Sequence, residues 1–149
     1  MAKFDLEERL LDFSVRIIRV TESMQRSSAG TYVADQLLRA GTSPYGHHGE
    51  AEGAESRNDF IHKLRVCYKE LREARRWLRL VRRAPLVAKP ESLDADLTEA
   101  DELVRIFAAS IRTAESNRPR DGGQNARSST LCPANAELSE NTRSERNHR

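Results

Sequence analysis

The sequence predicts an all-α protein, an antiparallel up-and-down four-helix bundle over residues 1–115 with a disordered polar tail over 116–149. Three observations point there. Four stretches carry apolar residues at alternating steps of four and three, the spacing that gathers them on one face of a helix. No stretch alternates apolar and polar residues as a half-buried strand does, and no internal repeat is present. Short connections separate the four stretches, and helices joined in that way pack against their sequence neighbours.

The first helix is expected at Leu6–Met24, with Leu6, Leu10, Phe13, Ile17, Val20 and Met24 on one line. Leu11, Val15 and Ile18 form a second line, so this helix needs two neighbours. One arrangement has both neighbours within the bundle; the other makes the second line a subunit interface.

The segment QRSSAGT ends helix 1, and Ser27 or Ser28 can cap the next. Helix 2 is expected from about Ser28 to about Gly53. Pro44 lies inside it and removes an amide donor, at a cost of about 3 kcal/mol in a regular helix. Gly41, Gly46, Gly49 and Gly53 weaken it further. It is therefore expected to be kinked or broken near Pro44.

Helix 3 starts sharply at Ser56, with Asp59 in the acidic position of a capping box. It is expected over Arg57–Arg83, and Ala84-Pro85 stops it. Its apolar line is Phe60, Leu64, Cys67, Leu71, Ala74, Leu78 and Val81, flanked by Ile61, Tyr68 and Trp77. Helix 4 is expected to begin near Pro90 or Ser92 and to bury Leu93, Leu97, Ala100, Val104, Phe107, Ile111 and Ala114. Its early polar face is acidic, with Glu91, Asp94, Asp96, Glu99, Asp101 and Glu102. Beyond about Ser116 the sequence is rich in Arg, Ser, Asn and Gly and holds too few apolar residues to offset ordering entropy.

The totals exclude several classes. Aromatic residues are 5% of the 149, too few for a β-sandwich core or a broad base-stacking platform. The formal net charge of +2 creates no strong global field, so any electrostatic role rests on local segregation. Two cysteines, Cys67 and Cys132, make no disulfide framework. The N-terminal residues do not read as a signal peptide, and no uncharged run approaches the roughly 20 residues of a membrane span. A cytoplasmic protein is expected.

Charge segregates most clearly on helix 3. Arg65, Lys69, Arg72, Arg76, Arg79 and Arg83 share one line opposite the apolar one, and Arg75 and Arg82 broaden it. Like charges at these spacings repel by about 0.2–0.5 kcal/mol per pair. The face is therefore read as a nucleic-acid or partner surface. The competing reading is a solvated face, or one paired with the acids of helices 1 and 4.

The segment LLRAGTSPYGHHGEAEGAESRNDFIHKLRV resembles a known family. Gly41, Thr42, Ser43, Glu50 and Ala51, then Ala54, Glu55, Ser56, Arg57, Asp59, Phe60, Ile61, Lys63 and Leu64, match its pattern at the end of helix 2 and the start of helix 3. Lys69, Glu70, Glu73, Trp77 and Leu78 continue the match. The family is that of the four-helix-bundle proteins encoded by intervening sequences in bacterial 23S ribosomal RNA genes. Pro44, His47 and Gly49 depart from the family pattern. The resemblance implies a non-enzymatic bundle that assembles as a ring-like homopentamer. It is related in fold to the accessory proteins of diversity-generating retroelements, which associate with a reverse transcriptase and RNA.

Together these readings give an oligomeric scaffold or accessory protein, with RNA, DNA or a nucleic-acid enzyme such as a reverse transcriptase as partner. The alternative is a purely structural protein–protein interaction module. Leu11, Val15, Ile18, Tyr68 and Trp77 are the candidate oligomer interface. No catalytic residue or cofactor is expected. His47, His48, Glu50, Glu52 and His62 invite a metal; His48 and Glu52 have the i,i+4 spacing that lets two ligands share a face, but no third ligand has a specified place. Ser43 and Thr42 lie near His47, but nothing orients that ring as a base, and hydroxyls there serve backbone carbonyls.

Overall fold

The computed structural model describes residues 5–117; the tail expected beyond them lies outside the described residues. Among the described residues four α-helices form: α1 Leu6–Glu22, α2 Ser28–Glu52, α3 Arg57–Arg83 and α4 Asp94–Ser116. A 3-10 turn, Pro90–Leu93, leads into α4. Among the described residues no helix is long and apolar enough to cross a membrane.

The starts of the first three helices follow from their caps. Asp5 accepts from the Glu8 amide, Ser27 from Gly30 and Ser56 from Asp59, each satisfying an amide that has no partner inside its helix. The helix 1 line is seated as expected: Leu10, Phe13 and Ile17 are fully buried, and Met24 is buried just past the helix end.

Each helix packs on its sequence neighbour, and α4 returns to α1. Side-chain pairs give the directions. Arg65, Arg75 and Arg82 on α3 meet Glu115, Asp101 and Asp94 on α4, in reverse order. Between α2 and α3, Tyr32 meets Trp77, Pro44 meets Cys67, and Glu50 meets Lys63. The helices therefore run up and down. The α1–α4 seam has the fewest contacts between neighbouring long helices. Arg9 bridges it, donating to both carboxylate oxygens of Glu99 at 2.7 and 3.0 Å and also pairing with Glu102; Arg16 adds a 2.7 Å bond to Asp96.

Three details of the sequence reading change. Helix 2 is not broken at Pro44: α2 runs continuously from Ser28 to Glu52 with Pro44 buried inside it. Proline leaves the Ala40 carbonyl without its usual amide and strains the turn around it. Hydroxyls attend the neighbouring carbonyls: Ser43 donates to Arg39 at 2.7 Å and Thr42 to Leu38 at 2.7 Å, while the Ser14 hydroxyl of α1, which donates to Leu10 at 2.9 Å, also lies 3.4 Å from the Gly41 carbonyl. Packing on both α1 and α3 then holds the helix through a residue that would end an isolated one.

The second change concerns α3, which buries Ile61 at 4% exposure and leaves Phe60 at 36%. A long helix drifts relative to a strict four-three line, so its first turn presents a different neighbour to the core. The third concerns α4, which buries Leu103 and Asp96 in places where the simple line favoured Val104 and Leu97. Asp96 is buried against Arg16, a partner on another helix that no local pattern indicates.

Candidate nucleic-acid interface

Seven apolar residues of α3, from Ile61 to Val81, enter the core and fix the opposite side of the helix outward. The basic residues on that side repel one another along its length. Arg82 and Arg83 in the last turn recover part of that cost from the helix dipole.

The structure divides the basic set. Arg65 pairs with Glu115, Arg75 with Asp101, and Arg82 with Asp94, whose two oxygens take bonds of 2.5 and 3.3 Å. The Arg82 guanidinium holds the Asp94 carboxyl below the usual carboxylate range. With Glu99, Glu102 and Asp96 already engaged by α1, the acidic face of α4 is consumed between its two neighbours.

The remaining cations are left over. Arg76, Arg79, Arg83 and Lys69 have no hydrogen-bond or ion-pair partner among the described residues, and Arg72 meets only the Tyr68 ring, 5.4 Å from its centroid. Arg72, Arg75, Arg76, Arg79 and Arg83 line an open cleft of about 430 Å3 together with Leu80. From Arg72 to Arg83 the line rises about 16 Å along the helix. Unpaired guanidiniums in a row suit anions that repeat along a chain, because each presents a planar fork to phosphate oxygens.

The five predicted interface residues also separate. Val15 and Ile18 are 37% and 39% exposed, and Leu11 is half-buried. Tyr68 and Trp77 are half-buried against the chain's own core. Trp77 meets Tyr32 edge-on at 6.3 Å and donates its indole N–H to Glu73 at 3.2 Å. Sequence reasoning missed Leu38 and Tyr45, each 37% exposed on one face of α2, and Leu80, 43% exposed amid the arginines. The seven-residue spacing of Leu38 and Tyr45 was a signal for the first two. For Leu80 the signal was an isolated leucine off the apolar line.

The histidine-rich end of α2 does not converge on one point. His48 is buried edge-on to Phe107 at 6.2 Å, whereas His47 lies 3.4 Å from Glu50 and 3.5 Å from Glu70. Among the described residues no group of three or more His, Cys, Asp or Glu side chains is placed to hold a metal. Lys63 and His47 hold the Glu50 carboxyl low, while burial pushes Glu70 up. Burial, with Glu70 nearby, pushes the Cys67 thiol up to about 12.

Fold and surface define a class: a small all-α bundle whose α4 acids pair with its own arginines and whose α3 keeps a residual arginine row. The chain belongs to the 23S rRNA-intervening sequence protein family, whose family model matches residues 3–109. It is similar to a crystal structure, at 1.70 Å, of a protein with unknown function from the S23 ribosomal protein family of Bacteroides thetaiotaomicron. The two share 30% identity with a TM-score of 0.67, over 72% of this chain and 99% of that one. No curated protein matches the chain.

Proposed function

We propose that this chain is a non-enzymatic, self-associating helical scaffold that binds nucleic-acid backbone through Arg72, Arg76, Arg79 and Arg83, alone or beside a nucleic-acid enzyme such as a reverse transcriptase. The observation that carries this reading is the division of the basic set. Internal pairing uses Arg65, Arg75 and Arg82 and leaves a row of arginines without an ion-pair partner among the described residues. Backbone contact of this kind positions a strand without reading its sequence.

Filter binding of RNA and single-stranded DNA at about 50 and about 200 mM salt tests it. Four phosphate contacts on a single strand give a slope of log affinity against log salt near −3. Replacing Arg72, Arg76 and Arg79 with Glu abolishes binding and leaves helicity intact. Binding that ignores salt rules the phosphate contact out.

A second reading, a protein–protein module without a nucleic-acid role, draws support from Val15, Ile18, Leu38 and Tyr45. All four are more than a third exposed, on two helices that pack together at Ser14 and Gly41. The same residues suit self-association, and the family resemblance points to a ring of five copies. Absolute mass in solution tests this, and an Ile18→Glu, Leu38→Glu double variant is expected to run as a monomer.

A further inference from the structure

The arginine cleft has a neighbour on the same helix. Arg76 and Leu80 also line a second cleft of about 340 Å3, whose other walls are Glu73 and Trp77. The two clefts share two side chains and form one continuous surface. One part is a row of unpaired guanidiniums. The other is apolar, built on exposed Leu80 and on a Trp77 ring fixed in place by Tyr32 and Glu73.

We infer that the ligand of this surface is single-stranded nucleic acid, with its phosphates on Arg72, Arg76, Arg79 and Arg83 and one base seated between Leu80 and Trp77. This rests on the backbone-binding reading above and adds to it the strand state. A duplex meets an adjacent helix with phosphates and sugars while its bases stay stacked inside. A single strand offers a planar apolar body beside each phosphate, and aromatic side chains in basic grooves take such bodies by stacking. Glu73 gives the seat a polar edge suited to a base. Its carboxylate, at the wall of the seat, keeps acceptor capacity for the N–H groups of a base after taking the indole N–H.

Trp77 is the only tryptophan in the chain, so its fluorescence reports on the seat directly. The full-length protein is titrated at about 50 mM salt with an oligodeoxycytidylate, an abasic strand of the same length, a duplex and polyglutamate. Trp77 emission is read alongside an anisotropy measurement of binding. The oligodeoxycytidylate is expected to bind and quench Trp77, while the abasic strand and the duplex bind without quenching. Leu80→Gln, a change at an exposed position that spares the core, weakens the oligodeoxycytidylate about tenfold, within the range of one stacked base, and leaves the abasic strand unaffected. Equal affinity and unchanged emission for oligodeoxycytidylate and abasic strand remove the base seat while backbone binding stands. Failure of every nucleic acid to bind removes both readings. Polyglutamate binding more tightly than the oligonucleotide overturns the inference in favour of an acidic protein.

Discussion

Gly41 of α2 lies directly against Ile17 of α1: a Cβ at position 41 would sit 2.6 Å from Ile17 Cγ2 and 2.7 Å from Cγ1. Ile17 is fully buried and β-branched, so it has little freedom to turn away. Alanine at 41 gains about 1 kcal/mol of helix propensity, while overpacking a tight core contact costs about 1–3 kcal/mol. The clash wins. Gly41→Ala is expected to destabilise the fold by about 1–2 kcal/mol in urea unfolding. A Gly41→Ala, Ile17→Ala pair tests the contact: its loss should be smaller than the sum of the two single losses.

Pro44 gives the opposite expectation. Its place inside an unbroken helix costs about 3 kcal/mol. Pro44→Ala restores an amide facing Ala40 and removes two buried methylenes worth about 0.8 kcal/mol each. A net gain of about 1 kcal/mol is expected in the same unfolding assay. A loss would mean that the ring packs against the neighbouring helices more tightly than its burial alone implies.

The division of the arginines predicts divergent phenotypes for two residues three apart. Arg79→Ala should leave stability unchanged and reduce the salt slope of single-strand binding by about 0.7. Arg82→Ala removes an exposed pair with Asp94, so its effect on stability is small, and it leaves the slope near the wild-type value. Identical slopes for the two variants would contradict the separation of paired and free residues.

Glu70 gives a pH signature. Burial raises its folded-state pKa above the unfolded value, so its stability contribution is complete below the unfolded pKa. That contribution disappears as pH rises through the folded pKa, and the ionised carboxylate then costs stability. Glu70→Gln keeps an acceptor near His47 and carries no charge. The variant is expected to melt above the wild type at about pH 7.5 and level with it below about pH 4, the ordinary Glu range. Differential scanning calorimetry across that window checks the sign.

Cys67 should be inert. Its thiol is fully buried, donates to the Pro44 carbonyl at 3.6 Å and is pushed up to about 12. The thiolate is the reactive form, so alkylation at pH 8 should proceed only at the rate of opening. A Cys132→Ser chain isolates the measurement. Rapid labelling in the native state would show that the α2–α3 contact opens far more readily than its burial implies.

Much of the fold was legible because helices announce themselves locally. Ser27 and Ser56 cap where serine precedes an apolar-periodic run, and the four-three lines of α1 and α3 carry most of the core. What the sequence misjudged depended on distant partners. Pro44 suggested a kink or a break, and the break does not occur because α1 and α3 pack along both sides of α2, which a single stretch of sequence does not show. Asp96 read as solvent-facing because its partner, Arg16, lies 80 residues away.

The sequence alone determined the helices, their order and the concentration of arginine on one side of α3, since periodicity and capping act over a few residues. Tertiary structure decided which arginines remain available. Arg75 and Arg82 lie to one side of the basic line and meet Asp101 and Asp94 of α4; Arg65 lies on the line itself and meets Glu115 near the end of α4, while Arg72, Arg76, Arg79 and Arg83 meet none of these acids. Their chemistry is identical. The difference is where each stands, in angle and in height along α3, relative to the acids of a neighbouring helix, and only packing sets that placement.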